Sequence, residues 1–72
     1  MEEPLEESIL KLGEKHKLLF SNLVRDELKV PIRTASDGLS RLVKRGILID
    51  LGIKRVKFKS GTFHQTRVYE LR

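Results

Sequence analysis

Apolar residues keep helical spacing along this chain as far as Gly46 and strand spacing beyond it, and that one change of period limits the possible folds more than any other feature. Before the change, Ala35, Leu39, Leu42, Val43 and Gly46 share one face of a helix expected over about residues 31–46. After it, Ile47-Leu48-Ile49 and Ile53 are apolar, and Val56 and Phe58 then alternate with Arg55, Lys57 and Lys59. Ser60-Gly61 signals a turn, and Thr62 to Leu71 resumes alternation, with Phe63 placed to pair with Phe58 and with Tyr69 and Leu71 inward. The ending is expected to be a β-hairpin.

Upstream, Glu2-Glu3-Pro4 favours a helix start, because proline is tolerated in a first turn and Glu2, Glu3, Glu6 and Glu7 complement the positive end of the dipole. Leu5, Ile9 and Leu12 give a helix over about 4–13, fraying toward 16, with Gly13 as the stop and Leu10 off the main stripe. Lys17 to Phe20 reads as a short extended segment, after which Ser21 or Asn22 can cap a helix over about 22–29 that turns Leu23, Val24 and Leu28 inward. Val30-Pro31 breaks that helix, Val30 plugs the turn into the core, and Pro31 can open the next helix. The order is helix, short strand, helix, helix, strand, strand. This predicts an α+β fold in a single domain over 1–72, without repeat or linker.

The chain has no cysteine, so disulfides and thiolate metal sites are excluded, and 72 residues lie near the lower limit for a self-sufficient core. No apolar run exceeds three residues and the start is acidic, so an intracellular, cytoplasmic protein is expected. Net charge is +5, but it is divided: residues 1–14 carry −4 and residues 15–72 carry +9. A body this basic suits a polyanionic partner, most often nucleic acid.

Opposite its apolar face the 31–46 helix carries Arg33, Thr34, Ser36, Asp37, Ser40, Arg41 and Lys44, long cations and short hydrogen-bonding groups able to reach phosphates and base edges. Arg33 and Arg41 can each grip a guanine with two hydrogen bonds; Asp37 can accept from cytosine N4, although pairing with Arg33 or Arg41 along the helix is favoured. Gly38 in mid-helix is unfavourable by about 1 kcal/mol against alanine. Its presence calls for close packing of another helix or close approach to a ligand. The hairpin adds Lys54, Arg55, Lys57, Lys59 and Arg67, with no acid between Asp50 and Glu70.

The order of elements is similar to that of winged-helix, or winged helix-turn-helix, DNA-binding domains. A-S-D-G-L-S-R-L-V-K-R-G-I-L, from Ala35 to Leu48, resembles the family's spacing of small residue, two leucines, basic pair, glycine and aliphatics, and V-Y-E-L, Val68 to Leu71, resembles its closing strand. The resemblance, to small archaeal or bacterial-type transcription regulators, covers essentially the whole chain. It implies three helices with a C-terminal wing and a helix-strand-helix-helix-strand-strand order. It also implies double-stranded DNA as partner, with the third helix in the major groove and the wing, about 53–68, on the backbone or minor groove. By the same resemblance Arg33, Thr34, Ser36, Asp37, Ser40 and Arg41 face bases and Lys44 and Arg45 flank the backbone. Lys57, Lys59, Ser60, Thr62, His64, Gln65 and Arg67 are the wing contacts. Pro31 departs from the family's usual capping Ser or Thr.

No catalysis, cofactor, metal or small-molecule ligand is expected: His16 and His64 are isolated, and no paired-histidine or glycine-rich phosphate motif occurs. A protein-contact module and a nonspecific chromatin-like binder are the alternatives, with RNA third. A homodimer is expected through the first helix, at Leu10, or the last strand, because single modules bury little surface on DNA.

Overall fold

Three helices and a two-stranded antiparallel hairpin follow one another in the computed structural model, which describes residues 4–72. Glu2 and Glu3, expected at the first helix's positive end, lie outside the described residues. Pro4 caps α1 (Leu5–Lys15), Glu6 and Glu7 occupy its first turn, and Ile9 and Leu12 are buried. The helix runs through Gly13 rather than stopping there. A Cβ on Gly13 would lie 2.9 Å from Leu71 Cγ, so the small residue lets the end of the last strand approach the helix. Leu10, a candidate dimer contact off the main stripe, is half-buried and packs against the core.

The expected first strand is a single bridge. Leu19 and Tyr69 exchange both backbone hydrogen bonds at 2.8 Å, and the chain then turns at once into α2 (Ser21–Leu28). Neither Ser21 nor Asn22 caps α2. Phe20 holds that position without a side-chain bond, and Ser21 Oγ instead meets Ser36 Oγ at 2.9 Å, tying α2 to the helix that follows. Lys29 ends α2 in the left-handed conformation (φ 56°, ψ 46°). Pro31 then caps α3 (Ile32–Lys44), its carbonyl accepting from the Ala35 N–H at 3.0 Å.

Ala35, Gly38, Leu39 and Leu42 form the buried face of α3. They join Ile9, Leu12, Leu19, Val24, Leu48 and Tyr69, with Val30 packed on the cluster as its place in the turn required. Each fully buried Leu or Ile contributes about 1.5–3 kcal/mol relative to exposure, so Leu39 and Leu42 anchor α3 with its opposite face outward. Phe20, Val56 and Val68 make a second cluster, flanked by Leu23, Leu51 and Phe58.

One strand serves both clusters through a bulge. In β1 (Leu48–Lys57) against β2 (Phe63–Leu71), Leu48 pairs with Leu71 and Asp50 with Tyr69, but the next pair is Gly52 with Val68. Leu51 is the extra residue. Gly52 takes φ +81°, and its N–H donates to Asp50 Oδ1 at 2.8 Å. The extra residue reverses which face later side chains occupy. Leu48 therefore joins the first cluster and Val56 the second, although an unbulged strand would put both on one side.

Candidate nucleic-acid interface

Residues 33, 37, 40 and 44 are spaced four, three and four apart, so Arg33, Asp37, Ser40 and Lys44 form one exposed stripe along α3, opposite the buried leucines. Arg41 and Thr34 flank it on the side of α1, the side on which Gly38 meets Leu5 and Ile9. Arg45, on that flank, donates to Glu6 of α1 and is thereby partly neutralised. Ser36 sits on the opposite flank, half-buried and held by Ser21. Asp37 does not pair with Arg33 or Arg41; the ion pairs of the described residues are Arg25–Asp26, Arg45–Glu6, Lys59–Glu27 and Arg67–Asp50, with a partner also present for Lys11. On an exposed helix such a pair is worth only about 0.2–0.5 kcal/mol, too little to hold two solvated side chains together.

Beyond the bulge the hairpin divides its side chains by alternation. Ile53, Arg55 and Lys57 of β1 share a face with Phe63, Gln65 and Arg67 of β2, and all six are exposed. Val56, Val68 and His64 take the other face. His64 lies against Phe58 (ring centroids 4.3 Å apart), Phe58 stacks on Phe20 (5.3 Å, 10° between planes), and His64 Nε2 hydrogen-bonds Thr62 Oγ1, which also bonds Ser60 Oγ. The expected wing contacts therefore separate. Lys57, Gln65 and Arg67 stand on the outer face, Ser60, Thr62 and His64 form a bonded group at the tip on the Phe58 side, and Lys59 pairs with Glu27 of α2 at 3.6 Å. The expected Phe58–Phe63 pair is not formed: Lys57 is opposite Phe63, and Phe58 turns to Phe20.

Helix stripe and hairpin face meet at a groove of about 350 Å³ lined by Ser40, Val43, Lys44, Asp50, Arg67 and Tyr69. Asp50 Oδ2 accepts from Arg67 Nη1 at 2.7 Å. The Gly52 N–H first, and then Arg67, hold the Asp50 carboxyl below its ordinary value; that hydrogen bond and charge in turn raise Arg67. Burial, aided by the Asp50 charge, keeps the Tyr69 phenol protonated beyond its usual range. The carboxylate at the junction is thus committed to holding the bulge and Arg67 in place. Around it, Arg33, Arg41, Lys44, Arg55 and Lys57 are exposed and, among the described residues, have no carboxylate partner.

Sequence reasoning did not include Ile53, Arg55 or Phe63 among the site residues. Phe63 has the same strand parity as Tyr69 and Leu71, which are turned to the core, so alternation argued that it points inward. The root of β2 lies on α3 while its tip overhangs solvent, and only the three-dimensional arrangement separates the two. Among the described residues no three His, Asp or Glu side chains gather in a group fit to hold a metal, and no helix is long and apolar enough to cross a membrane. The chain matches no family model, no curated protein and no solved structure.

Proposed function

We propose that this chain binds double-stranded DNA as a winged-helix-type transcription regulator, with α3 in the major groove and the hairpin acting as the wing on the adjacent backbone or minor groove. The observation that carries this reading is the junction at Ser40, Lys44, Asp50 and Arg67, where the α3 stripe meets the outer hairpin face, with Arg33, Arg41, Lys44, Arg55 and Lys57 around it lacking carboxylate partners among the described residues. Phosphate binding needs cations that are not already neutralised, and base reading needs a helix whose polar face is free. Arg33 and Arg41 are assigned to bases, with Ser40 and Thr34 beside them. Lys44 and Lys57 are assigned to phosphates, while Arg67, already held by Asp50, serves to fix the junction. Arg45 and Lys59 contribute less, because Glu6 and Glu27 already hold them.

Selection from a random-sequence duplex pool tests this reading. An enriched motif supports a specific regulator. Binding without enrichment supports a nonspecific DNA binder. Absence of binding at low salt refutes the DNA reading and favours protein contact.

A further inference from the structure

Phe63 is the least explained large side chain on the outer face. It is 55% exposed and belongs to neither buried cluster. The guanidinium of Arg55 lies 4.8 Å from its ring centroid, the diagonal cross-strand contact the register allows, and this exposed cation–π contact is one that insertion of the ring exchanges for base stacking, freeing Arg55 for a phosphate. Ile53, 59% exposed, lies on the same face but is separated from Phe63 by the Arg55–Gln65 pair. Lys57 stands opposite Phe63 and Arg67 opposite Ile53, and the carboxylate at the root of this face, Asp50, is occupied by Arg67 and the Gly52 N–H. An exposed aromatic ring framed by cations fits a polyanion that has apolar slots between its charges. Duplex DNA has this form: phosphates line the groove, and stacked base steps lie between them.

The geometry points to Phe63 as a wedge that inserts between two base pairs on the minor-groove side and kinks the duplex, with Arg55 and Lys57 on the flanking phosphates; this rests on the DNA-binding reading above. Apolar side chains inserted in this way unstack one step and bend DNA by roughly 20–90°. Flexible pyrimidine–purine steps such as TA are the least costly to open. The wing then reads deformability while α3 reads base edges.

The test uses the full chain and mixed-sequence duplexes carrying 2-aminopurine at TA steps, with a donor and acceptor dye on the duplex ends. Wild type is expected to raise 2-aminopurine fluorescence and shorten the end-to-end distance. Phe63→Ala, whose exposed ring the fold does not need, is expected to keep the circular dichroism and Tm of wild type and to bind duplex with the same salt slope. It should lose both optical changes and roughly five-fold or more in affinity. Phe63→Leu is expected to retain the kink, since an aliphatic wedge also opens a step. Binding by wild type without either optical change, or an undiminished kink in Phe63→Ala, overturns the wedge while leaving DNA binding intact. A stronger affinity for single strands, lost in Phe63→Leu and kept in Phe63→Trp, overturns it in favour of ring stacking on unpaired bases. No binding of any duplex at low salt overturns the DNA reading itself.

Discussion

Gly38 is where helix packing and helix propensity oppose each other, and Gly38→Ala measures which prevails. In an exposed helix interior the change to alanine stabilises by about 0.8–1.0 kcal/mol. At Gly38 the added Cβ would sit 2.6 Å from Ile9 Cδ1 and 3.0 Å from Leu5 Cδ2, well inside the 3.5–4.0 Å of ordinary carbon contact. Leu5 is half-buried and can turn aside, but Ile9 is fully buried, so shifting its Cδ1 disturbs the packed side chains around it. Inserting a methyl into such a contact costs about 1–3 kcal/mol. The expected net loss is about 1 kcal/mol, a fall of roughly 4–8 °C in Tm for a domain of this size. Ile9→Val removes the atom in the way and by itself costs about 0.5–1.5 kcal/mol. The double variant should therefore be more stable than the sum of the two singles, by about 1 kcal/mol in a chemical-denaturation cycle. If Gly38→Ala raises stability by its full helical propensity and the cycle is additive, the close approach of α1 to α3 is not what the glycine serves.

Three further outcomes follow from the interface. Asp50→Asn should be less stable than wild type at neutral pH, because a carboxyl held below its ordinary value stabilises the fold above its unfolded pKa and ceases to do so as pH falls through the lowered one; denaturation from pH 7 downward should show the difference closing below about pH 4. Glu27→Gln and Glu6→Gln release Lys59 and Arg45 and should tighten duplex binding several-fold at low salt, a gain that disappears when binding is measured at high salt. Arg33→Ala and Arg41→Ala should relax base preference in a selected motif, whereas Lys57→Ala should weaken all sequences alike and reduce the salt slope by about 1; the reverse pattern would exchange the roles given to helix and wing.

The helical half of the fold was legible because its signals are local. The 3.6-residue period of Leu39 and Leu42, the break at Val30-Pro31 and the turn at Ser60-Gly61 each act within a few residues, and three helices with a terminal hairpin result. What sequence left obscure depends on distant partners. Gly13 reads as a stop until Leu71 is placed beside it, and Ser21 reads as a cap until Ser36 comes within 2.9 Å. The bulge at Leu51 carries a faint local signal, the Asp50-Leu51-Gly52 turn, but its consequence is global: it decides which alternate residues of the hairpin join the core. The stripe of Arg33, Asp37, Ser40 and Lys44 was readable from spacing alone. The division of the wing into an outer face and a tip group held on Phe58 was not, because it follows from where Phe20 lies.

The salt dependence of duplex affinity tests the continuous cationic surface most directly. Arg33, Arg41, Lys44, Arg55 and Lys57 are the exposed cations on it without carboxylate partners among the described residues. If most of them displace counterions from phosphates, log K against log salt should fall with a slope of roughly −3 to −5. The slope should become shallower by about 1 for each of Lys44→Ala and Lys57→Ala, so that helix and wing both register in one measurement. A slope near zero, or one that neither substitution changes, would contradict a single DNA-binding surface built from α3 and the hairpin.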